Sequence, residues 1–420
     1  MPLTASPPAA ASYDAAVVGG GPAGLAAGLA LAKAGLRVAL IVRGGPPAAD
    51  LRTAALFPAS VRFLEDLSAW QACAVEAAPL RAIRILDDTS WLLKAPETVF
   101  SAEDAGEAAL ASNIANAALV RALEAALGAC PAVTRYSIAG TPHYQPGGSA
   151  VAIALPDGLS LSAKLLVAAD GRDSPARDAA GIACKRRKLD QTALVATFSH
   201  SRPHRDVSTE IHRDAGPLTT VPLPGNRSSL VWVERPRAAE RLAALSGPAF
   251  LAELQCRLHG LLGELSGLGP RMTFALQWLE AEDYARNRTA LVGEAAHVLP
   301  PIGAQGLNLG LRDASEIARL AGAALQLGGD PGADGVLAAY DAARRADTRT
   351  RSLTVDILNR SLESGALPLQ LARGLGLFAM NISPAFKRAV MRHGAGGLGL
   401  PPSPGQAAKI MPPTTRRAAG

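Results

Sequence analysis

Three short stretches of this 420-residue chain hold residue types and spacings that can do chemistry. The first is Gly19, Gly20, Gly21, Pro22, Ala23, Gly24, where Gly19, Gly21 and Gly24 have the G-x-G-x-x-G spacing. The first glycine allows a tight turn, the second lets a pyrophosphate reach the backbone, and the third lets a helix pack on a strand. The N–H groups at that helix start then stabilise phosphate charge. The second stretch is Asp170, Gly171, Arg172, Asp173, Ser174, Pro175, Ala176, Arg177, an Asp-Gly turn with Ser174 placed to cap a helix. The third is LVGEAAHVLPPIGAQGLNLGLRDA, residues 291–314, in which a strand delivers Gly293 and Glu294 and a Pro-Gly loop feeds a helix beginning near Gly306.

These stretches need a particular scaffold. Ala15–Val18 is a short apolar run of strand length, Ala23–Ala34 has helical propensity ending at Gly35, and Val38–Val42 reads as a second strand. A βαβ unit at the chain start predicts a doubly wound α/β sheet with phosphate-binding backbone at its first crossover. Leu165–Ala169 and Thr289–Val292 are expected to complete that sheet, each running into polar residues at its C-terminal end. Residues 190–280 alternate β-rich runs (Ala193–Phe198, Ser228–Glu234, Met272–Trp278) with proline turns, and only 237–265 looks helical. This predicts an inserted antiparallel-sheet domain, followed by a C-terminal helical region.

The expected division is a Rossmann-like binding domain from 13–70, 101–184 and 281–330, a substrate domain from 71–100 and 185–280, and helices over 331–400. Disordered tails are expected at 1–12 and 401–420, with no signal peptide at the start. The uncharged stretch Ala15–Ala32 is split by its Gly-Gly-Gly-Pro break and does not read as a membrane span. A formal charge of +6 with basic groups dispersed among acids, and no recognisable module, argues against nucleic acid. Cys73, Cys130, Cys184 and Cys256 form no CxxC, which argues against a metal or disulfide framework and fits a reduced cytoplasmic setting. Of the histidines, His297 reads as a packing or capping residue, and His200, His204 and His212 as solvated loop residues with no metal-site spacing.

A dinucleotide fold usually places an acid at the end of its second strand for the adenosine ribose, but here Val42 is followed by Arg43. The glycine loop therefore leaves open whether the ligand is FAD or a nicotinamide dinucleotide. The three stretches together resemble the FAD signatures of the para-hydroxybenzoate-hydroxylase-like flavoprotein monooxygenases, in order and spacing. That resemblance implies that Asp170 and Gly171 serve FAD and NAD(P)H binding, and that Gly293 and Glu294 meet the ribityl chain, with Glu standing where the family has Asp. It also implies that Pro301, Gly303, Gly306, Leu307 and Asn308, within the loop Pro300–Asn308, lie against the flavin ring. Arg52, Asn116 and Arg121, the last two assigned to a helix Asn113–Leu127, match polar FAD-contacting positions, with surface salt bridging as the alternative.

Within the superfamily, RTAALFPASVRFLEDL at 52–67 and PLPGNRSSLVW at 222–232, with the third stretch, are similar to the ubiquinone-biosynthesis hydroxylases. The resemblance implies an FAD-dependent monooxygenase that uses O2 and NAD(P)H or another electron donor. Through a flavin C4a-hydroperoxide it would hydroxylate the aromatic ring of a polyprenylated ubiquinone precursor. No catalytic side chain is assigned, because the cofactor supplies the reactive oxygen and the protein a dry, oriented pocket. A lipid-tailed substrate implies peripheral contact with the inner membrane surface, for which Leu367–Arg392 offers apolar residues among Arg373, Lys387, Arg388 and Arg392, and membership of a quinone-biosynthesis complex. Two alternatives stay open: a related hydroxylase of a soluble aromatic, and a catalytically weak FAD-binding subunit, suggested by Val42 and Glu294.

Overall fold

The computed structural model describes residues 11–45, 50–90, 94–301 and 303–363. From the N-terminus, β1 (Ala11–Val18), α1 (Pro22–Lys33) and β2 (Val38–Arg43) form the first crossover unit. The chain then makes β3 (Thr53–Leu56), α2 (Pro58–Asp66), β4 (Ala78–Leu80), β5 (Ala82–Asp87) and β6 (Thr98–Ser101), and returns through α3 (Ala102–Ala105), β7 (Ala111–Ala115), α4 (Asn116–Gly128) and β8 (Val133–Ile138). A hairpin of β9 (His143–Pro146) and β10 (Val151–Ala154) leads to β11 (Ser160–Ala168) and α5 (Pro175–Ala179). There follow β12 (Cys184–His200), β13 (Val207–His212), β14 (Leu218–Leu223), β15 (Arg227–Glu234), α6 (Pro236–Ala244), α7 (Gly247–Arg257), β16 (Leu265–Ser266) and β17 (Met272–Ala281). The described chain closes with β18 (Ala285–Arg286), β19 (Thr289–Leu291), β20 (His297–Val298), α8 (Gln305–Gln326) and α9 (Asp334–Glu363).

The first sheet has the parallel order β19-β11-β1-β2-β8, so the doubly wound expectation holds and β11 and β19 complete the sheet begun at the N-terminus. Its central strands are buried on both faces over Asp14–Val18 and Val38–Val42, which is why β1 and β2 read as largely apolar runs rather than alternating ones. A second sheet, ordered β20-β17-β12-β15-β14-β13-β5-β6, is antiparallel except where β13 runs parallel to β5. There, alternation decides what each face touches. Leu194, Phe198, Ile211, Leu218, Leu230 and Trp232 point to one side and form a core with Leu242 of α6 and Phe250 and Leu254 of α7. Their neighbours in sequence face the other way.

Several expectations shift at the boundaries. Ala11 and Ser12 pair with Leu161 and Ser162, so β1 begins inside the stretch expected to be a tail, because the edge of β11 offers it backbone partners. Residues 71–100 divide: β5 and β6 join the second sheet, whereas β4 pairs with β7 beside β3. Asn113 lies in β7, and α4 starts only at Asn116. The 401–420 tail, the helices expected beyond Glu363, including Leu367–Arg392, and residue Ile302 lie outside the described residues. No described helix is long and apolar enough to cross a membrane.

Helices α8 and α9 are fastened to β19 by charge. The fully buried Asp313 of α8 accepts from the Gly293 N–H at 2.9 Å, from His297 Nε2 at 2.7 Å and from Arg344 Nε of α9 at 2.6 Å. Arg344 continues to Asp347 at 2.8 Å, which Arg312 also meets at 2.7 Å. Tyr340 donates its hydroxyl to the Leu291 carbonyl at 2.6 Å beside them. Burial alone would raise the Asp313 carboxyl, but His297 and Arg344 outweigh it and hold it below the ordinary carboxylate value. A carboxyl so lowered contributes stability that is complete above about pH 4 and is lost as the pH falls through the lowered value. Asp313→Ala should therefore cost about 3–5 kcal/mol at neutral pH, since it leaves the buried Arg344 with Asp347 alone and takes the acceptor from the Gly293 N–H and His297. Chemical denaturation at pH 7 and pH 3.5 checks this: the variant's deficit should shrink in acid, and an equal deficit at both would contradict the assignment.

Candidate functional site

The two sheets meet along one cleft of about 2660 Å³, lined by the glycine loop, Asp170, Gly171, Glu294, Pro301, Gly303, Gly306 and Leu307 on one side and by β13, β14 and β15 on the other. Single-ligand pockets run to roughly 1,000 Å³, so this space has room for a dinucleotide and a second molecule together.

The glycines behave as their spacing requires. Gly19 has φ +128°, and a Cβ there would lie 2.1 Å from the Ala169 carbonyl oxygen, because the loop passes tightly over the end of β11. A Cβ on Gly24 would lie 2.4 Å from the Gly19 oxygen. One on Gly21 would meet nothing within 4 Å, so this backbone faces open cleft at the N-terminus of α1. Close packing at the outer glycines and open space at the middle one are what a pyrophosphate cradle needs.

Beyond the loop, the cleft carries a linked polar set. Arg52 forms a two-pronged pair with Asp50 at 2.8 and 2.9 Å, and Asp50 also accepts from Asn116 Nδ2 at 2.9 Å. Arg52 then reaches Glu294 at 3.2 Å, and Arg172 approaches the other Glu294 oxygen at 3.5 Å. The hydrogen bonds with Asp50 push the Arg52 guanidinium above its ordinary value, so it stays charged. Burial would raise Asp50, but the bonds from Arg52 and Asn116 prevail and lower it. Asp50 has no family motif around it and escapes a reading based on motifs; only its proximity to Arg52 and Asn116 in space shows its part.

Asp170 is the contrasting case. Its Oδ2 accepts from the Ala176 N–H at 3.2 Å, while its buried Oδ1 has no partner among the described atoms, as is true of Asn116 Oδ1. Burial dominates and raises the Asp170 carboxyl against the bonds from Ser174 and Ala176. Two buried acceptors without donors, in a cleft beside a phosphate cradle, fit a ligand rich in hydroxyl and N–H groups. Arg43, Glu124 of α4 and Arg135 of β8 also line the cleft, and Glu124 is ion-paired with Arg135.

Other expected residues take different places. Arg121 lines the cleft but pairs with Glu76 at 2.8 Å, both half exposed, which is the surface salt bridge that was the alternative. Asn308 is buried with its amide saturated: Oδ1 accepts from the Phe57 N–H at 2.9 Å and Ser60 hydroxyl at 2.7 Å, and Nδ2 donates to the Ala55 and Ala304 carbonyls at 2.8 and 2.7 Å. Its side chain therefore clasps the β3–α2 corner to the start of α8 and is spent on that task. The backbone of the α8 first turn, from Gln305, retains N–H groups with no intrahelical acceptor. Ala304 caps it at φ +52°, which turns the chain into the helix. His297 is buried against Asp313, as a packing histidine should be. His200 and His212, expected in solvated loops, are instead buried on strands, and His200 bonds the Arg202 carbonyl and Ser228 hydroxyl. Among the described residues no group of His, Cys, Asp and Glu could hold a metal ion.

A family model described as an FAD binding domain matches residues 12–351, from the first strand of the cradle into α9. The chain belongs to the FAD binding domain family. Its cofactor is FAD. Among curated proteins it is 37% identical over 396 residues to ubiquinone hydroxylase UbiL of Rhodospirillum rubrum, covering 93% of this chain and 91% of that one. It is 29% identical over 389 residues to 3-demethoxyubiquinol 3-hydroxylase of Escherichia coli, covering 91% and 98%. Among solved structures, p-nitrophenol 4-monooxygenase PnpA of Pseudomonas putida superposes with a TM-score of 0.71 at 19% identity, covering 91% and 97%. A PqsL variant of Pseudomonas aeruginosa does so at 0.73 and 22%, covering 87% and 99%. At those identities the structures establish a shared fold.

Asp170→Asn tests the orphaned oxygen. At neutral pH the raised carboxyl is a cost to the folded chain, so the variant should melt higher than wild type without FAD and bind FAD more weakly, by about tenfold or more. Melting curves with and without added FAD, read with a flavin titration, check both directions; a variant weaker in both would contradict the account.

Proposed function

We propose that the chain is an FAD-dependent monooxygenase that uses O2 and NAD(P)H to hydroxylate the aromatic ring of a polyprenylated ubiquinone precursor. The observation that carries this reading is the single cleft joining the phosphate cradle to the face of the second sheet. The likeness to the Rhodospirillum rubrum ubiquinone hydroxylase over nearly the whole chain supports the choice of substrate. A free phenol remains the narrower competitor, because substrate choice resides in the second sheet rather than in the cradle.

In this reading Gly19, Gly20, Gly21, Pro22, Ala23 and Gly24 would hold the pyrophosphate at the N-terminus of α1, with Glu124 available to the ribose. Asp170 Oδ1 and Asn116 Oδ1 would accept from cofactor donors, and Gly171 and Gly293 bring backbone close to it. Glu294, steadied by Arg52 and Arg172, would face the hydroxyl-bearing chain between pyrophosphate and ring. Bound there, FAD supplies the redox chemistry that places one atom of O2 on an electron-rich ring. Pro301 and Gly303, with Gly306, Leu307 and Asn308 at the start of α8, would support the ring edge, where backbone N–H groups favour negative charge. Ile83, Phe100, Val221 and Val231 line the facing wall and keep water away from the reacting pair. Work at the inner membrane surface, beside other enzymes of quinone synthesis, follows from the lipid tail of such a substrate.

Purified FAD-loaded protein given NADPH, a short-chain prenylated phenol and 18O2 should yield a hydroxylated product carrying one heavy oxygen. A deletion strain should accumulate a quinone intermediate lacking a ring oxygen. NADPH oxidation without ring oxygenation for any prenylated phenol, together with a normal quinone profile in the deletion strain, would refute the proposal.

A further inference from the structure

Among the residues of β13, β14 and β15 that line the cleft, Ser208, Glu210, Thr219, Val221 and Val231, one carries a formal charge. On β13 the alternation that sends Ile211 into the core turns Glu210 to the cleft, directly across from Thr219 of β14 and beside Ile85 of β5. Its Oε1 is held by His212 Nε2 at 2.8 Å, with the two side chains only 15% and 9% exposed. Oε2 has no partner among the described residues. The cationic residues lining the cleft, among them Arg43, Arg52, Arg121 and Arg172, all lie outside β13, β14 and β15. A nearly buried carboxylate on an otherwise neutral wall is costly unless something donates to it.

A second observation points the same way. Asn113 of β7 lines the same cleft at 1% exposure. Its Nδ2 donates to the Pro222 carbonyl at 2.8 Å, which fixes the orientation of the amide and leaves Oδ1 as a buried acceptor without a partner. Pro222 follows Val221, itself on the cleft-facing side of β14 with Thr219. The cleft thus offers two acceptors here, Glu210 on the second sheet and Asn113 on β7, while none of its lining arginines lies on β13, β14 or β15.

We propose that Glu210, held by His212, determines substrate specificity: it accepts a hydrogen bond from a ring hydroxyl and excludes aromatics that carry a ring carboxylate, so the enzyme takes neutral phenols. This rests on the monooxygenase reading above for the identity of the ring. The selection is electrostatic. In a low-dielectric wall two like charges repel strongly, whereas a phenol O–H forms a charge-assisted bond. A site made to bond a hydroxyl discriminates more sharply than an apolar pocket, because its own buried group is left unpaired by the wrong ligand.

The test pairs 2-geranylphenol with 3-geranyl-4-hydroxybenzoate, its ring-carboxylated counterpart, on the full FAD-loaded chain. Binding is read from the change in flavin absorbance and turnover from product formation. Wild type should bind and hydroxylate the phenol and discriminate against the benzoate. Glu210→Gln should lower kcat/KM for the phenol by about tenfold to a hundredfold and narrow the discrimination, with flavin content and melting temperature near wild type. Glu210→Asp, which keeps the charge, should keep the discrimination, separating charge from any loss of fold. Unchanged affinity and unchanged discrimination in Glu210→Gln would overturn the proposal. If neither protein oxygenates the phenol, the monooxygenase reading fails, while the binding titration still decides Glu210: equal affinities, or no binding to wild type, count against it.

Discussion

The structure depends on one buried carboxylate. Asp313 draws in a backbone N–H from the turn after β19, an imidazole from β20 and a guanidinium from α9. A charge taken out of water is tolerated only when its lone pairs are filled by well-aligned donors, and here three separate elements supply them. The geometry at the cleft follows. Gly293 is fixed at the point where a Cβ would press to 3.3 Å from Ala23 of α1, and α8 is set so that its first turn opens on the same space. Electrostatics in the core decides where the backbone of the site can be.

The two sheets divide the work by their faces. The parallel sheet is covered on both sides, so its strands can present polar groups only at their C-terminal ends, where Asp170 and Glu294 follow β11 and β19. The second sheet is covered by α6 and α7 on one side, and its other side is free to form a wall. Cofactor recognition by backbone and strand ends, and ring recognition by alternate side chains along strands, are then separable in sequence. Residues such as Glu210 can change without disturbing the glycine loop.

Much of this was legible in the chain. The glycine spacing, the apolar runs of β1, β2, β11 and β19 and the strand-loop-helix at 291–314 are local patterns, and local patterns survive in sequence. What was illegible depends on long separations. Arg52 and Asn116 were recognised as polar candidates, but the Asp50 that joins them is a contact between segments 66 residues apart. Arg344 belongs with Asp313 only because α9 returns along α8. Histidines 200 and 212 looked solvated because their arginine neighbours suggest a loop, whereas strand pairing buries them. Asn308 stood in a motif, yet its saturated amide shows that a motif position can hold the scaffold while its backbone faces the ligand.

The unpartnered oxygen of Asp170 has a consequence beyond binding. A folded chain that keeps a buried acceptor unsatisfied gains more from its ligand than contact area alone would give, since the ligand also relieves a defect of the protein. Conformational stability and cofactor supply become linked quantities: the population of the folded form rises with the free FAD concentration. The same oxygen therefore bears on how long the folded chain persists as well as on how firmly it holds its cofactor.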